Sequence, residues 1–300
     1  MKVEQVQKIK KPFHRLVYWI GERERIRLKR LPGTGHKAPW TDDVILQTYR
    51  FCNVRRMDDK VSQWLLTNWY DKYKDHPNMV AAVALARFIN LPSSLVLLTD
   101  LLFRKSVYQG PLWTTIKEVL RKHRDKGNVI FNGAYMVRGN DGMDKIECVV
   151  DYYVRPLIET MTPPGSSSPQ LYRDSMQRTW ELVCTSYGMG SFMAGQVVAD
   201  LRWAITGDWA DAREWAPAGP GSQRGLNRLR GYDVKRKWKQ GDFVEALQEL
   251  INELTYVENL GFVMDRLEAI DVQNCLCEFD KYERTLWGQS RPKQLYRPIQ

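Results

Sequence analysis

The stretch Leu182 to Leu201, LVCTSYGMGSFMAGQVVADL, restricts the fold more than any other. Apolar residues at helical spacing run in from about Ser168 and stop at Tyr187-Gly188-Met189-Gly190. A second helix leaves at Ser191 and carries Phe192, Ala194, Val197, Val198 and Leu201 on its apolar face. Two glycines around one residue permit positive φ and a close approach of backbone to a partner. The amides that open the second helix lack intrahelical acceptors and point outward. A phosphate is a natural occupant of such a place. Gly188, Gly190 and Ser191 are thus candidates for holding a DNA backbone. The same spacing also serves as an ordinary packing corner.

The rest of the chain reads as mainly α. Helices are expected over Pro12 to Leu31, from Thr41 as N-cap, through VSQWLLTNWYDKY, and over Met79 to Phe103 with a break at Pro92. Others are expected over Trp113 to His123, Asp144 to Met161, GDFVEALQELINELTYVENLGF and residues 271–284. Residues 129–137, VIFNGAYMV, alternate like a short strand or hairpin. TPPGSSSPQ, residues 162–170, is a candidate hinge in one two-lobed domain spanning 1–300. The tail from Gly288 is expected to be irregular.

Lys plus Arg number 45 against 35 for Asp plus Glu, a net charge of +10, which fits a polyanionic partner. No segment has the apolar length of a membrane span, and the N-terminus lacks an apolar signal core. The expected setting is therefore intracellular, with no membrane partner. Cys52, Cys148, Cys184, Cys275 and Cys277 are scattered and the four histidines form no ligand set, so no metal and no cofactor are expected.

Three polar clusters stand out. Arg55 and Arg56 lie beside Asp58 and Asp59 in YRFCNVRRMDD, where arginine forks suit phosphate or a helix-start ion-pair set. Gly219-Pro220-Gly221-Ser222 opens a helix bearing Arg224, either an anion site or a structural turn. Asn274, Glu278 and Lys281 share one helical face in DVQNCLCEFDKYER, a catalytic row or a surface ion-pair row. Arg23, Arg27 and Arg30 in GERERIRLKR read as a solvated face that can also line a phosphate track.

Taken together, ERERIRLKR, PWTDDVILQTYRFCNVRRMDD, FNGAYMVRG, YGMGSFMAGQVVADL, APAGPGSQRGL and NCLCEFDKYER resemble one phage family. These are the alpha-glutamyl/putrescinyl thymine pyrophosphorylases, also described as amino acid:DNA transferases. They are related to the helical domain of hydroxymethyluracil DNA kinases. The resemblance runs from about Pro12 to Arg284, and FCNVRR-x-DD and LCEFDKYER are its most specific parts. It implies a divergent helix-hairpin-helix glycosylase fold in two lobes.

The function so implied is a step of thymidine hypermodification in the cytoplasm of an infected bacterium, which evades host restriction. The phosphate of 5-phosphomethyl-deoxyuridine in double-stranded DNA is replaced by the amine of a free amino acid, glycine first among them, or of a polyamine. Phosphate loss needs donors worth about 2.7–4 kcal/mol each. Arg55, Arg56, Gly219, Gly221, Ser222 and Arg224 are the candidates. The amine's proton needs a base: Asp59, Asp200 or Glu278, with Glu278 preferred. Lys281 is placed to pair an amino acid's carboxylate, and Asn53, Gln196 and Asn274 to read a uracil edge. Tyr49, Phe51 or Trp215 is expected to stack on a flipped base. Base-excising relatives usually carry an Asp after the hairpin, where Ala218-Gly219-Pro220-Gly221-Ser222 stands here; Asp208 or Asp211 remains as a displaced substitute. Two alternatives stay open: a glycosylase for modified pyrimidines, and a non-catalytic DNA-binding partner of a base kinase.

Overall fold

Regular helical periodicity becomes a mainly helical structure. The computed structural model describes residues 1–104, 111–133, 142–166 and 168–296. The first helices are α1 (Val3–Gln7), α2 (Pro12–Lys29), α3 (Val44–Thr48), α4 (Lys60–Leu65) and α5 (Met79–Ile89). They are followed by α6 (Pro92–Leu95), α7 (Thr99–Arg104), α8 (Pro111–Asp125), α9 (Lys145–Glu147) and α10 (Arg155–Met161). The last are α11 (Met176–Cys184), α12 (Ser191–Ala204), α13 (Pro220–Arg230), α14 (Gln240–Thr255), α15 (Gly261–Met264) and α16 (Ala269–Leu286). Two π-helical segments, Leu66–Tyr70 and Cys148–Val154, interrupt otherwise α-helical runs. Among the described residues no strand forms at 129–133, and 134–137 of the expected hairpin lie outside them. The tail makes one antiparallel bridge, Tyr49 with Leu295.

The chain divides into two compact units. One comprises Met1–Asp59 and Ala212–Gln300; the other comprises Lys60–Asp211, which includes the 162–170 stretch.

The first unit is organised around α16, which is buried on nearly every side. Val272, Leu276, Phe279 and Tyr282 supply apolar packing, and α2, α3, α13 and α14 lie against it. A helix enclosed this way must satisfy each polar group it carries. Glu283 takes two bonds from Arg15 of α2, at 2.7 and 2.8 Å. Asp280, fully buried, receives Arg224 and Arg228 of α13 at 2.8 and 2.9 Å, and Arg284 at 3.2 Å. Asp271 accepts the backbone amides of Arg56 and Glu268. Glycine lets α13 come close: a Cβ on Gly225 would stand 2.2 Å from the Leu276 carbonyl oxygen.

Two helix starts differ from expectation. The α3 cap is Asp43 rather than Thr41: its carboxylate accepts from Ile45 N and Leu46 N and also from the Tyr18 and Tyr282 hydroxyls. Thr41 instead donates to Glu22. Ser175, not Ser168 or Pro169, caps α11, and Asp211 accepts the Ser175 hydroxyl and the amides of Met176 and Gln177.

In the second unit α5 is wholly buried, and α12 and α10 pack against it. The α11–α12 turn carries Gly188 at φ +76°, where a Cβ would lie 3.1 Å from the Tyr153 ring. Gly190 caps α12 and faces open space. Ser191, Tyr187 and Phe192 are exposed around it.

Candidate functional site

The polar clusters singled out from the sequence distribute over both units. Three of them meet on α16 in the first. Glu278 accepts the Cys52 backbone amide at 3.0 Å and pairs with Lys281 at 2.7 Å. Lys281 also donates to the Arg50 carbonyl, and its ammonium sits 4.6 Å from the Phe51 ring centre. Asn53 donates its amide to Asp59 at 2.9 Å and its side-chain NH2 to the Asp58 carbonyl. Burial pushes the Asp59 carboxyl up to about 6. The Asn53 amide pulls it back down, and the nearby Glu278 carboxylate adds to the rise. Asp271, one turn before Asn274, is likewise raised to about 6 by burial.

The Gly219–Ser222 turn is pinned to the same helix. A Cβ on Gly221 would stand 2.9 Å from the Cys277 sulfur, so only glycine fits without displacement. Ser222, fully buried at the third helical position, accepts Gly219 N and Gln273 Nε2 and donates to the Gly219 carbonyl. Its hydroxyl therefore holds the turn together. Arg224 keeps 40% of its side chain exposed while pairing with Asp280. Arg55 stands 3.7 Å from Asp58, and the Arg56 side chain is buried. Asn274 is partly exposed and makes no hydrogen bond among the described residues. Burial, with Glu278 adding, pushes the Cys277 thiol to about 12, so it stays protonated and is no nucleophile.

Gln196 and Asp200 belong to the second unit. Asp200 is fully buried, ion-paired to Arg87 and hydrogen-bonded by the Tyr70 hydroxyl. Burial, with Asp200 adding, holds that hydroxyl far above its usual range. Gln196 is also buried. Phe51 and Trp215, expected to stack on a base, are core residues: Phe51 packs edge-on against Trp19 and is tilted against Tyr282. Asp211 is fully occupied as the α11 cap, while Asp208 is exposed.

Two features escape the sequence reading. Glu22, Arg23 and Glu24 are no solvated face; all three are buried. Arg23 donates Nε to the Cys52 carbonyl and Nη2 to the Phe51 carbonyl and Asn53 Oδ1. No carboxylate lies within ion-pair distance of it among the described residues. Burial lowers its affinity for a proton, and Glu278 and Asp59 oppose that. Nothing local in ERERIRLKR marks one arginine of four as buried.

The second feature is the loop after α13, YDVKRKWK at 232–239, where basic and aromatic residues interleave. Buried Asn227 pins it, donating to the Val234 and Arg236 carbonyls and accepting Trp238 Nε1. Arg236 stacks over the Tyr232 and Trp238 rings at 4.1 and 4.7 Å. Lys235, Arg236, Lys237 and Lys239 are exposed and have no carboxylate partner among the described residues. The loop thus offers four uncompensated cations on a fixed backbone.

A family model described as 5-hmdU DNA kinase, helical domain, matches residues 10–291. A protein of Bacillus phage SP10 named 5-hmdU DNA kinase is 26% identical over 239 residues, covering 70% of this chain and 35% of its own length. The chain thus spans about a third of the length of that curated relative. No solved structure matches the chain. A match over nearly all of its length identifies this protein as a member of the family of 5-hmdU DNA kinase helical domains.

Proposed function

We propose that this protein is a phage DNA-modifying transferase acting in the infected bacterium. It replaces the phosphate of 5-phosphomethyl-deoxyuridine in double-stranded DNA with the amine of an amino acid, glycine included, or of a polyamine. The single observation behind this reading is the grouping of Asp59, Glu278, Lys281, Arg23 and the Gly219–Ser222 turn around one buried helix. That group offers a poised base, fixed cations and a helix start at one place.

In the step, the bond from methylene carbon to phosphate oxygen breaks and phosphate leaves with the electron pair. A bond from the amine nitrogen to that carbon forms, and the nitrogen's surplus proton passes to a carboxylate. Asp59 suits this last role better than Glu278. A base is most effective when its proton affinity is near the working pH, and Asp59 stands at about 6. Glu278 is already committed to Lys281 and the Cys52 amide. The departing phosphate is met by the Arg55–Arg56 segment, the Gly219–Gly221 turn and Arg224, and Asn53 and Asn274 read the base edge. Gln196 and Asp200 have structural roles in the second unit, and Gly188, Gly190 and Ser191 hold the DNA backbone. The 232–239 loop supplies a further contact to phosphates.

Incubation with DNA containing 5-phosphomethyluracil and a panel of amines, followed by nucleoside mass spectrometry, tests the reading. The expected product is a nucleoside carrying the amine in place of phosphate. Unchanged phosphomethyl-deoxyuridine with every amine rejects it. Abasic sites instead would establish the excision alternative.

A further inference from the structure

Buried arginines normally face a carboxylate, because an isolated charge is expensive to remove from water. Arg23 is 5% exposed and has none. Its Nε and Nη2 are used by Phe51, Cys52 and Asn53, and its Nη1 makes no hydrogen bond among the described residues. The same side chain lines a cavity of about 340 Å³ within the first unit. Pro39, Trp40, Leu46, Gln47 and Tyr296 form much of the remaining wall. Trp40 is braced by Arg30, whose guanidinium lies 5.5 Å from its ring centre. The wall is otherwise largely apolar, with Ile26 and Leu46 at its base.

Gln47 completes the polar pattern. Its Nε2 donates to the Thr41 carbonyl at 2.6 Å, which fixes the amide's orientation. The oxygen Oε1 is left without a partner among the described residues. The cavity therefore combines one cationic donor, one neutral acceptor, the indole N–H of Trp40 and the hydroxyl of Tyr296, both buried without a partner among the described residues, and otherwise apolar walls. A single guanidinium amine matches a singly charged carboxylate. A phosphate dianion would ask for more cations, and Glu278 and Asp59 near Arg23 already oppose further negative charge. The Gln47 oxygen suits the N–H of an amine on the same small molecule.

We propose that this cavity is a binding site for a free neutral α-amino acid, its carboxylate on Arg23, its amino group toward Gln47 Oε1 and its side chain against Leu46 and Ile26. The assignment of this amino acid as the amine donor rests on the transferase reading; the binding itself does not. On that reading a diamine such as putrescine, lacking a carboxylate, does not fill the site, and glutamate fills it poorly.

Calorimetric titration of the full chain without DNA tests the proposal, using leucine, leucinamide, glutamate and putrescine as probes. Leucine is expected to bind. Leucinamide, which lacks the carboxylate, is expected to bind about 10-fold more weakly or worse, the typical loss of one charge-assisted hydrogen bond. Gln47→Met, at a partly exposed position, is expected to weaken leucine with little change in folding. Equal binding of leucine and leucinamide, no binding of leucine at millimolar concentration, or unaltered binding by Gln47→Met overturns it. The two readings separate cleanly. Leucine binding without any transfer to phosphomethyl DNA removes the transferase and leaves the site. Transfer from putrescine with no amino acid bound removes the site and leaves the transferase.

Discussion

Gly225→Ala tests the contact on which the first unit is built. A Cβ there would lie 2.2 Å from the Leu276 carbonyl oxygen and 2.8 Å from its carbon. Both are backbone atoms, so no rotamer change relieves them. Ordinary contact requires α13 to withdraw by about 1 Å. That movement stretches three short bonds: Arg224 and Arg228 to Asp280, at 2.8 and 2.9 Å, and Gln273 to Ser222, at 3.1 Å. Each would then exceed hydrogen-bond length, and Asp280 has no solvent to replace what it loses. Overpacking costs about 1–3 kcal/mol. Strained pairing of a buried charge adds about 2 kcal/mol, and the helix preference of Ala over Gly returns about 1 kcal/mol. The net expectation is a loss of about 2–4 kcal/mol, read as a lower urea midpoint with unchanged slope. On the proposed transferase reading the change should also lower activity, because the Gly219–Ser222 turn moves with α13. A variant within about 0.5 kcal/mol of the parent would refute the close helix crossing.

Other expectations follow from single groups. The Asp59 carboxyl binds its proton more tightly folded than unfolded, so its favourable contribution is complete below its ordinary value of 3.8 and is lost as pH rises through about 6. Asp271 behaves alike. Urea unfolding should therefore show stability gained from pH 8 to pH 5, by about 1.4 kcal/mol per group, with about 3 kcal/mol per group reached only below pH 3.8, and Asp59→Asn should remove its share; an unchanged profile would count against a buried Asp59. If Asp59 accepts the amine's proton, kcat/KM rises with pH through about 6 in the parent and loses that limb in Asp59→Asn. Changing Lys235, Lys237 and Lys239 to Gln should reduce the slope of log affinity for duplex DNA against log salt by about 0.9 for each phosphate no longer neutralised. A slope that stays put rules the loop out as a DNA surface. Asp200→Ala strands the buried Arg87 charge and should cost about 3–5 kcal/mol in thermal or urea unfolding; a neutral result would contradict that pairing.

The helices were legible because apolar residues repeat with the helical period, and the Asn274–Glu278–Lys281 face could be drawn from spacing alone. Glu278 and Lys281 do pair, three residues apart. Where several residues of similar propensity adjoin, local chemistry left the choice open. Thr41, Asp42 and Asp43 can each cap a helix, and Asp43 prevails because two tyrosines from distant helices bond to it. Asp200 looks like any polar residue in an apolar helix until Arg87, 113 positions earlier, is brought beside it. Arg23 was invisible for the same reason: its acceptors are main-chain carbonyls, which leave no mark in a sequence. The 232–239 loop was different, since its alternation of cations and aromatics was present in the letters. The resemblance to the helical domain of hydroxymethyluracil DNA kinases was carried by dispersed motifs and is matched over residues 10–291.

The discontinuous make-up of the first unit bears on how the protein is made. Arg15 meets Glu283 only after 268 further positions have left the ribosome, a delay on the order of tens of seconds at ordinary translation rates. Lys60–Asp211 emerges in one run and has no such wait. Glu22, Arg23 and Glu24, buried in the finished unit, are expected to favour water over premature apolar contact through that interval. An aliphatic seam in their place would leave the growing chain sticky and would strand the Phe51 and Cys52 carbonyls in the finished molecule.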